Sequence, residues 1–203
     1  IDGRWCKPAS AASFEKRIIG QRVLRVWRKG KYILLDLDSG ETLIMHLRMT
    51  GTILLNPEGA IGHERAEFGM SDASKIVFND PRRFGTAELV PTLGVEEWFK
   101  GRLGLEPFDP NFTNIHLFGL TRGRKAPLKN FLLDQRLIAG IGNIYADEAL
   151  FRARLHPLRK PLGLTKAQVS DLRGAIVDSL QAGIDAGGAT IDDFRSPDGA
   201  WGA

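Results

Sequence analysis

At 203 residues the chain can bury one hydrophobic core of ordinary size or two small ones. Hydrophobic residues make up 43% and charged residues 26%, no apolar run reaches the length of a membrane span, and the opening residues carry no signal-peptide pattern. A single cysteine, Cys6, excludes an internal disulfide and any multi-cysteine zinc site within these residues, while a formal charge of +4 and a pI near 9.4 favour an anionic partner.

The first half reads as short strands. Arg22 to Trp27 mixes β-branched and charged residues, and Lys31 to Asp38 is a compact apolar run with acidic punctuation. Glu41 to Met49 and Thr52 to Leu55 are two more, joined through Met49-Thr50-Gly51, where glycine marks a bulge or tight bend. Lys75 to Asn79 and Thr86 to Val90 flank Asp80-Pro-Arg-Arg-Phe-Gly85, a turn by its Asp-Pro opening and its final glycine. Strands this short and closely spaced predict an antiparallel β-sandwich, followed by a short helix over Val95 to Gly101.

The second half reads as helices. Leu103 to Phe112 carries two prolines and reads as the start of a linker. Pro127 to Asp134 suits a helix with proline in its first turn, and Tyr145 to Arg154 is a second. Thr165 to Ala186 is the clearest: Thr165 and Gln168 form a capping box, Val169, Leu172, Ile176, Leu180 and Ile184 make an apolar stripe for the core, and Gly187-Gly188 ends it. The fold class is therefore α+β, an antiparallel β-sandwich followed by a helical domain. The predicted boundaries are 1–103 for the sandwich, 104–120 for a linker and 121–203 for the helical domain.

Charge is unevenly spread. Gln21 to Leu35 holds five basic residues and no acidic one, and Arg122 to Lys160 holds nine basic residues against Asp134, Asp147 and Glu148. Each run taken alone is an ordinary solvated face; two of them, interleaved with small and aromatic residues, point to nucleic acid. Within the second run, Gln135-Arg-Leu-Ile-Ala-Gly-Ile-Gly-Asn-Ile-Tyr145 joins two short helices. Gly140 and Gly142 let backbone amides approach a ligand, and Asn143, just ahead of the next helix, can donate to a phosphate oxygen. A plain connecting turn would use the same glycines.

These residues resemble a known family. Leu128-Lys-Asn-Phe-Leu-Leu-Asp-Gln135 and the run from Ala139 to Pro157 resemble the helix–two-turn–helix of bacterial formamidopyrimidine-DNA glycosylases and their endonuclease VIII relatives. Arg28 to Leu37, His46-Leu-Arg-Met-Thr-Gly51, Asn79 to Gly85, Leu103-Gly-Leu-Glu-Pro107 and Gly187 to Phe194 resemble further motifs of that family in the same order, with the balance favouring the formamidopyrimidine branch. The resemblance implies a base-excision repair glycosylase and AP lyase that removes oxidised purines from damaged double-stranded DNA. It works by base flipping, Schiff-base formation and β,δ-elimination. Lys31 matches the lysine that reaches the damaged nucleotide; Met49, Arg82 and Phe84 match the trio that fills the hole left by the extruded base; Lys129 and Asn143 match phosphate contacts; Glu148 matches a buried carboxylate near the pocket. Apart from the family, Met49 and Phe84 read as core residues, Arg82 and Arg83 as a solvated turn, Lys31 as a surface charge and His46 as a structural histidine.

The departures from the pattern carry their own expectations. The family's N-terminal proline nucleophile and following glutamate, its C-terminal four-cysteine zinc finger and most of its lesion-capping loop have no counterpart here, and Arg48 stands where several relatives have glycine. Ile1 aligns inside the family's first domain, which reads as a fragment of an active enzyme; the alternative is a naturally truncated, non-catalytic DNA-binding paralogue. The chain itself is expected to bind damaged DNA without turnover, as a monomer, with no membrane association and no cofactor; zinc is expected in the full-length family member. A bacterial cytoplasmic, nucleoid-associated protein is expected. An RNA-binding helix–two-turn–helix module is the more distant reading.

Overall fold

A computed structural model describes residues 1–6, 8–59 and 61–188, and the residues divide into two compact units, one within Ile1–Glu97 and one over Trp98–Gly188. The segment 189–194, read above as preceding a lesion-capping loop, lies outside the described residues.

The first unit is built from a helix and seven strands: α1 (Ala11–Ile18), β1 (Val23–Lys29), β2 (Tyr32–Leu37), β3 (Glu41–His46), β4 (Thr52–Leu55), β5 (Glu64–Gly69), β6 (Lys75–Asn79) and β7 (Thr86–Pro91). One sheet has the order β1-β2-β3-β7 and the other β4-β6-β5, every pairing antiparallel. Period-two alternation explains the layering. Leu37, Leu43, Met45, Ala87 and Leu89 from one sheet and Ala66 and Phe78 from the other are buried in one apolar cluster. Trp5 lies at its centre, its ring 5.7 Å from Phe14, 6.0 Å from Phe68 and 5.0 Å from Phe78. This is the expected antiparallel sandwich.

Two elements of this unit escaped the sequence reading. Helix α1 has a Ser10 cap accepting the Ser13 N–H and a basic last turn of Lys16 and Arg17, a legible signal in a segment whose apolar content is low. Strand β5 (ERAEFG) is mostly charged, and its pairing with β6 holds it in the sheet. Strand β3 ends at His46 rather than at Met49, because Arg48 takes a left-handed φ of 59° that no extended strand continues through.

The second unit contains α3 (Asn114–Thr121), α4 (Leu128–Leu133), α5 (Asn143–Arg152) and α6 (Lys166–Asp185); the short α2 (Val95–Phe99) spans the boundary. Residues 104–120, read as a linker, contain α3, capped by the Thr113 hydroxyl, and bury Phe112 and Leu117 completely. The capping box at Thr165 and Gln168 is present in both directions. Val169, Leu172 and Ile176 of the stripe are buried with Leu128, Phe131, Leu132, Ile138, Ile141 and Leu150, and Leu180 packs at the edge of that cluster. Ile184 departs from the stripe: it is 62% exposed, as the last residue but one of the helix. Pro127 immediately precedes α4 rather than standing inside its first turn. No helix among the described residues is long and apolar enough to cross a membrane.

Candidate nucleic-acid interface

In the first unit, two turns at one end of the sandwich bring three of the candidate residues together. Residues 47–51 connect β3 to β4, and residues 80–85 connect β6 to β7. In the first turn the Gly51 N–H donates to the Leu47 carbonyl at 3.0 Å. A Cβ at Gly51 would lie 3.0 Å from the Leu47 carbonyl carbon and nearer still to its oxygen, so the tight bend expected there requires glycine. Met49 is 68% and Phe84 49% exposed, which removes the reading of either as core. The Arg82 guanidinium lies between them, 3.6 Å from the Met49 sulfur and 4.8 Å above the Phe84 ring. The result is a joined apolar–cationic tip: a thioether, a guanidinium fork and an aromatic face, held on the surface.

Lys31 stands at the β1–β2 hairpin, with its ammonium held below the ordinary lysine value by loss of hydration. His46, at the end of β3, is buried, packs edge-on against Tyr32 at 4.6 Å and accepts the Arg48 N–H on Nδ1 at 2.8 Å. Burial first, then the charges of Arg48 and Lys31, push its pKa down to about 4. His46 is therefore neutral near pH 7, with its proton on Nε2, as a structural histidine should be.

That depression has a sign. The unfolded imidazole protonates near 6.5 and the folded one near 4, so the unfolded chain binds more protons between those values. Stability is expected to fall as pH drops from 6.5 to 4, by up to about 3 kcal/mol from this group. Urea midpoints measured across that window for the wild type and His46→Gln would check it; equal slopes would refute it.

The left-handed Arg48 also bears on the departure noted above. Glycine adopts φ 59° without a Cβ penalty, whereas arginine is strained there, so the residue is not neutral to the fold. Arg48→Gly is expected to stabilise the chain by about 0.5–1 kcal/mol, the relief of strain less the greater freedom of unfolded glycine. It should also raise the His46 pKa, which an NMR titration would read.

In the second unit the candidate loop is built around Gln135. Its side-chain carbonyl accepts the Gly140 N–H at 2.9 Å, and its amide donates to Leu133 O at 3.0 Å and Ile141 O at 2.9 Å. Asp134 takes the Arg136 guanidinium at 2.9 and 2.7 Å; the hydrogen bond from Arg136 holds its carboxyl below the ordinary value. Gly140 has φ 95°, a backbone that favours glycine. Gly142 is the cap of α5 and supplies no side chain, which leaves the first N–H groups of α5 without a side-chain cap. Asn143 is the exposed first residue of α5 rather than the residue ahead of it. Lys129 of α4 reaches Asp147 of α5 at 2.7 Å, so this cation already has an acidic neighbour.

Glu148 corrects an expectation. Its side chain is 45% exposed and pairs with Arg152 one turn on, at 2.8 Å. At position six of α5 the side chain leaves the buried stripe formed by Ala146, Ala149 and Leu150, so it is a surface carboxylate within this unit.

Two residues with evident roles were not singled out from sequence. Asp80, read only as a turn opener, is fully buried and organises the 80–85 turn. Thr50 donates to it from the other turn at 2.5 Å. Asp-Pro at a turn was the only legible signal; the long-range partner was not. As to metal, no group of three or more His, Cys, Asp or Glu among the described residues is placed to hold an ion, and Cys6 is buried in the sandwich core. The donors of a four-cysteine zinc site are not among these residues.

Both halves of the chain match known proteins. The family model described as the formamidopyrimidine-DNA glycosylase N-terminal domain matches residues 2–87, and that of the same family's H2TH domain matches 103–195. A formamidopyrimidine-DNA glycosylase of Roseobacter denitrificans is 42% identical over 99% of this chain and 74% of its own length. One from Stenotrophomonas maltophilia is 39% identical over 98% of this chain and 73% of its own. Among solved structures, the Lactococcus lactis formamidopyrimidine DNA glycosylase non-covalently bound to AP-site DNA has a TM-score of 0.87 at 30% identity, covering 94% of this chain and 73% of that one. The same enzyme in another complex with abasic-site DNA has a TM-score of 0.89, again at 30% identity, covering 97% and 72%. Matched in both halves, in order and at this identity, the chain belongs to the formamidopyrimidine-DNA glycosylase family.

Proposed function

We propose that the protein acts in base-excision repair, on double-stranded DNA carrying oxidised purines such as 8-oxoguanine and formamidopyrimidines. The observation that carries this reading is the exposed Met49–Arg82–Phe84 tip. A base cannot be excised while stacked, and extruding it costs a few kcal/mol. An aromatic ring and a thioether inserted into the vacated space replace part of the lost stacking, and a guanidinium fork offers donors to the orphaned base. Lys31 reaches the damaged nucleotide. In the second unit, Lys129, Asn143 and the amides opening α5 hold phosphates, with Glu148 at the margin of that surface. Lys129 then exchanges Asp147 for a phosphate oxygen.

The chemistry of the family, Schiff-base formation at the sugar and β,δ-elimination, needs an amine nucleophile. Its proline has no counterpart among these 203 residues, so by themselves they bind damaged duplex without turnover. Fluorescence anisotropy against abasic-analogue and undamaged duplexes, with borohydride trapping in parallel, tests both parts. Tighter binding to the damaged duplex is expected, weakened by about 2 kcal/mol in Arg82→Ala, and Lys129→Ala should lower the salt slope by about one. Equal affinity for the two duplexes would overturn the DNA reading. A covalent adduct would overturn the absence of turnover.

A further inference from the structure

We infer that Asp80 is a positioning residue that locks the two DNA-facing turns together, so that Met49, Arg82 and Phe84 enter the duplex as one rigid unit. The inference rests on the function proposed above and extends it to residues outside the tip.

Met49 and the Arg82–Phe84 pair sit 33 to 35 positions apart in sequence, on turns joining different strand pairs. Asp80 is fully buried and its carboxylate is shared between those turns. One oxygen accepts the Thr50 hydroxyl at 2.5 Å and the Arg82 N–H at 3.2 Å; the other accepts the Gly85 N–H at 2.8 Å. Its backbone carbonyl accepts the Arg65 Nε–H at 2.8 Å from strand β5, fixing the turn to the sheet as well. Thr50 adjoins Met49, Gly85 adjoins Phe84, and Arg82 is itself a donor, so each of the three hydrogen bonds to the carboxylate falls on a tip residue or on its neighbour in the chain.

The backbone adds a second reason for a lock. Arg48 and Arg83, which adjoin Met49, Arg82 and Phe84, have φ values of 59° and 57°. A left-handed conformation in a non-glycine residue persists only where its surroundings over-determine it. A buried, multiply hydrogen-bonded carboxylate is such a constraint. Rigidity in the free protein matters because each side chain ordered only on binding weakens the complex.

Thr50→Val keeps the shape of residue 50 and deletes the donor, whereas Thr50→Ser keeps the donor. Thr50→Val is expected to weaken binding to an abasic-analogue duplex about fivefold and leave undamaged-duplex binding unchanged. Thr50→Ser should restore the wild-type value. In a Met49→Ala background the Thr50→Val loss should shrink to less than twofold, because the placement it supplies has nothing left to place. A purely structural role would add in full in that background and would overturn the inference, as would wild-type binding by Thr50→Val. Hydrogen exchange without DNA supplies an independent arm: the Gly51 and Gly85 amides should accelerate together in Thr50→Val. Acceleration of Gly51 alone would show that the turns are uncoupled and would also overturn it. Failure of the DNA reading looks different, since Met49→Ala, Arg82→Ala and Phe84→Ala would then all bind damaged duplex like the wild type; the lock itself would then stand or fall on the exchange result.

Discussion

Gly104→Ala is expected to destabilise the second unit by about 3 kcal/mol, a large fraction of the stability of a small domain. The Gly104 N–H donates to the Gln135 carbonyl at 2.8 Å, and Leu105 next to it forms a parallel bridge with Ile138. An added Cβ would lie 2.6 Å from the Leu137 carbonyl carbon and 2.9 Å from the Arg136 oxygen, and closer still to the Leu137 oxygen. These are backbone atoms with no rotamer to change. Relief requires moving residues 136–138, and with them the Gln135-anchored loop that carries Gly140 and opens α5. The substitution should therefore cost both stability and phosphate contact. Chemical denaturation followed by the helical circular-dichroism signal would measure the first. A midpoint shift equivalent to under about 0.5 kcal/mol, the scatter of an ordinary surface substitution, would sink the argument.

The second large effect is expected at Asp80. Asp80→Ala removes a fully buried carboxylate and leaves the Gly85 N–H, itself buried, without its acceptor. Stranding buried donors that had been bonded to a charge costs about 3 kcal/mol or more. Asp80→Asn should cost about half as much: with the amide oxygen toward Gly85 that buried donor keeps its acceptor and the Thr50 hydroxyl can turn to accept, while the Arg82 N–H loses its partner.

Acid titration distinguishes Asp80 from His46. Burial alone would raise the Asp80 carboxyl, but hydrogen bonds from Thr50 and from the Gly85, Arg82 and Phe84 amides outweigh it and hold the group below its ordinary 3.8. A carboxylate whose folded value is depressed contributes stability that is present above the unfolded value and lost as pH falls through the folded one. Of these two groups, His46 contributes the loss of stability between pH 6.5 and 4, and Asp80 contributes to the further loss below about 3.8. In Asp80→Asn the second limb should flatten while the first stays. Persistence of the full acid limb in that variant would rule the assignment out.

Much of the sandwich and of the helical half was legible. Lys31 to Asp38 and Lys75 to Asn79 have the compact, turn-bounded form of strands, and both are strands at nearly the expected limits. Thr165, Gln168 and the residues after them carry cap, stripe and stop in sequence order, and α6 follows them. Illegible segments were those whose stability comes from partners. Strand β5 offers two apolar inward positions and needs β6, and α3 was hidden between prolines although Thr113 is a good cap.

For the candidate site the division is sharper. The sequence alone determined residue types and short-range form: a turn at Asp80–Gly85, a tight bend at Gly51, glycines before α5, and the motifs that carry the family resemblance. It could not determine which side chains lie on the surface or which meet. Met49 and Phe84 have the composition of core residues, and only the ends of the strand pairs put them outside with Arg82 between. Glu148 lacks its expected burial because its helical phase turns it away from Ala149 and Leu150. Asp80 is the clearest instance. Its partner Thr50 lies 30 residues earlier, and the pairing depends on the registers of β4 and β6, where Thr52 faces Asn79. Local pattern sets the elements because helix and turn contacts span a few residues; strand register and sheet stacking join distant residues, and those joints exist only in the folded chain.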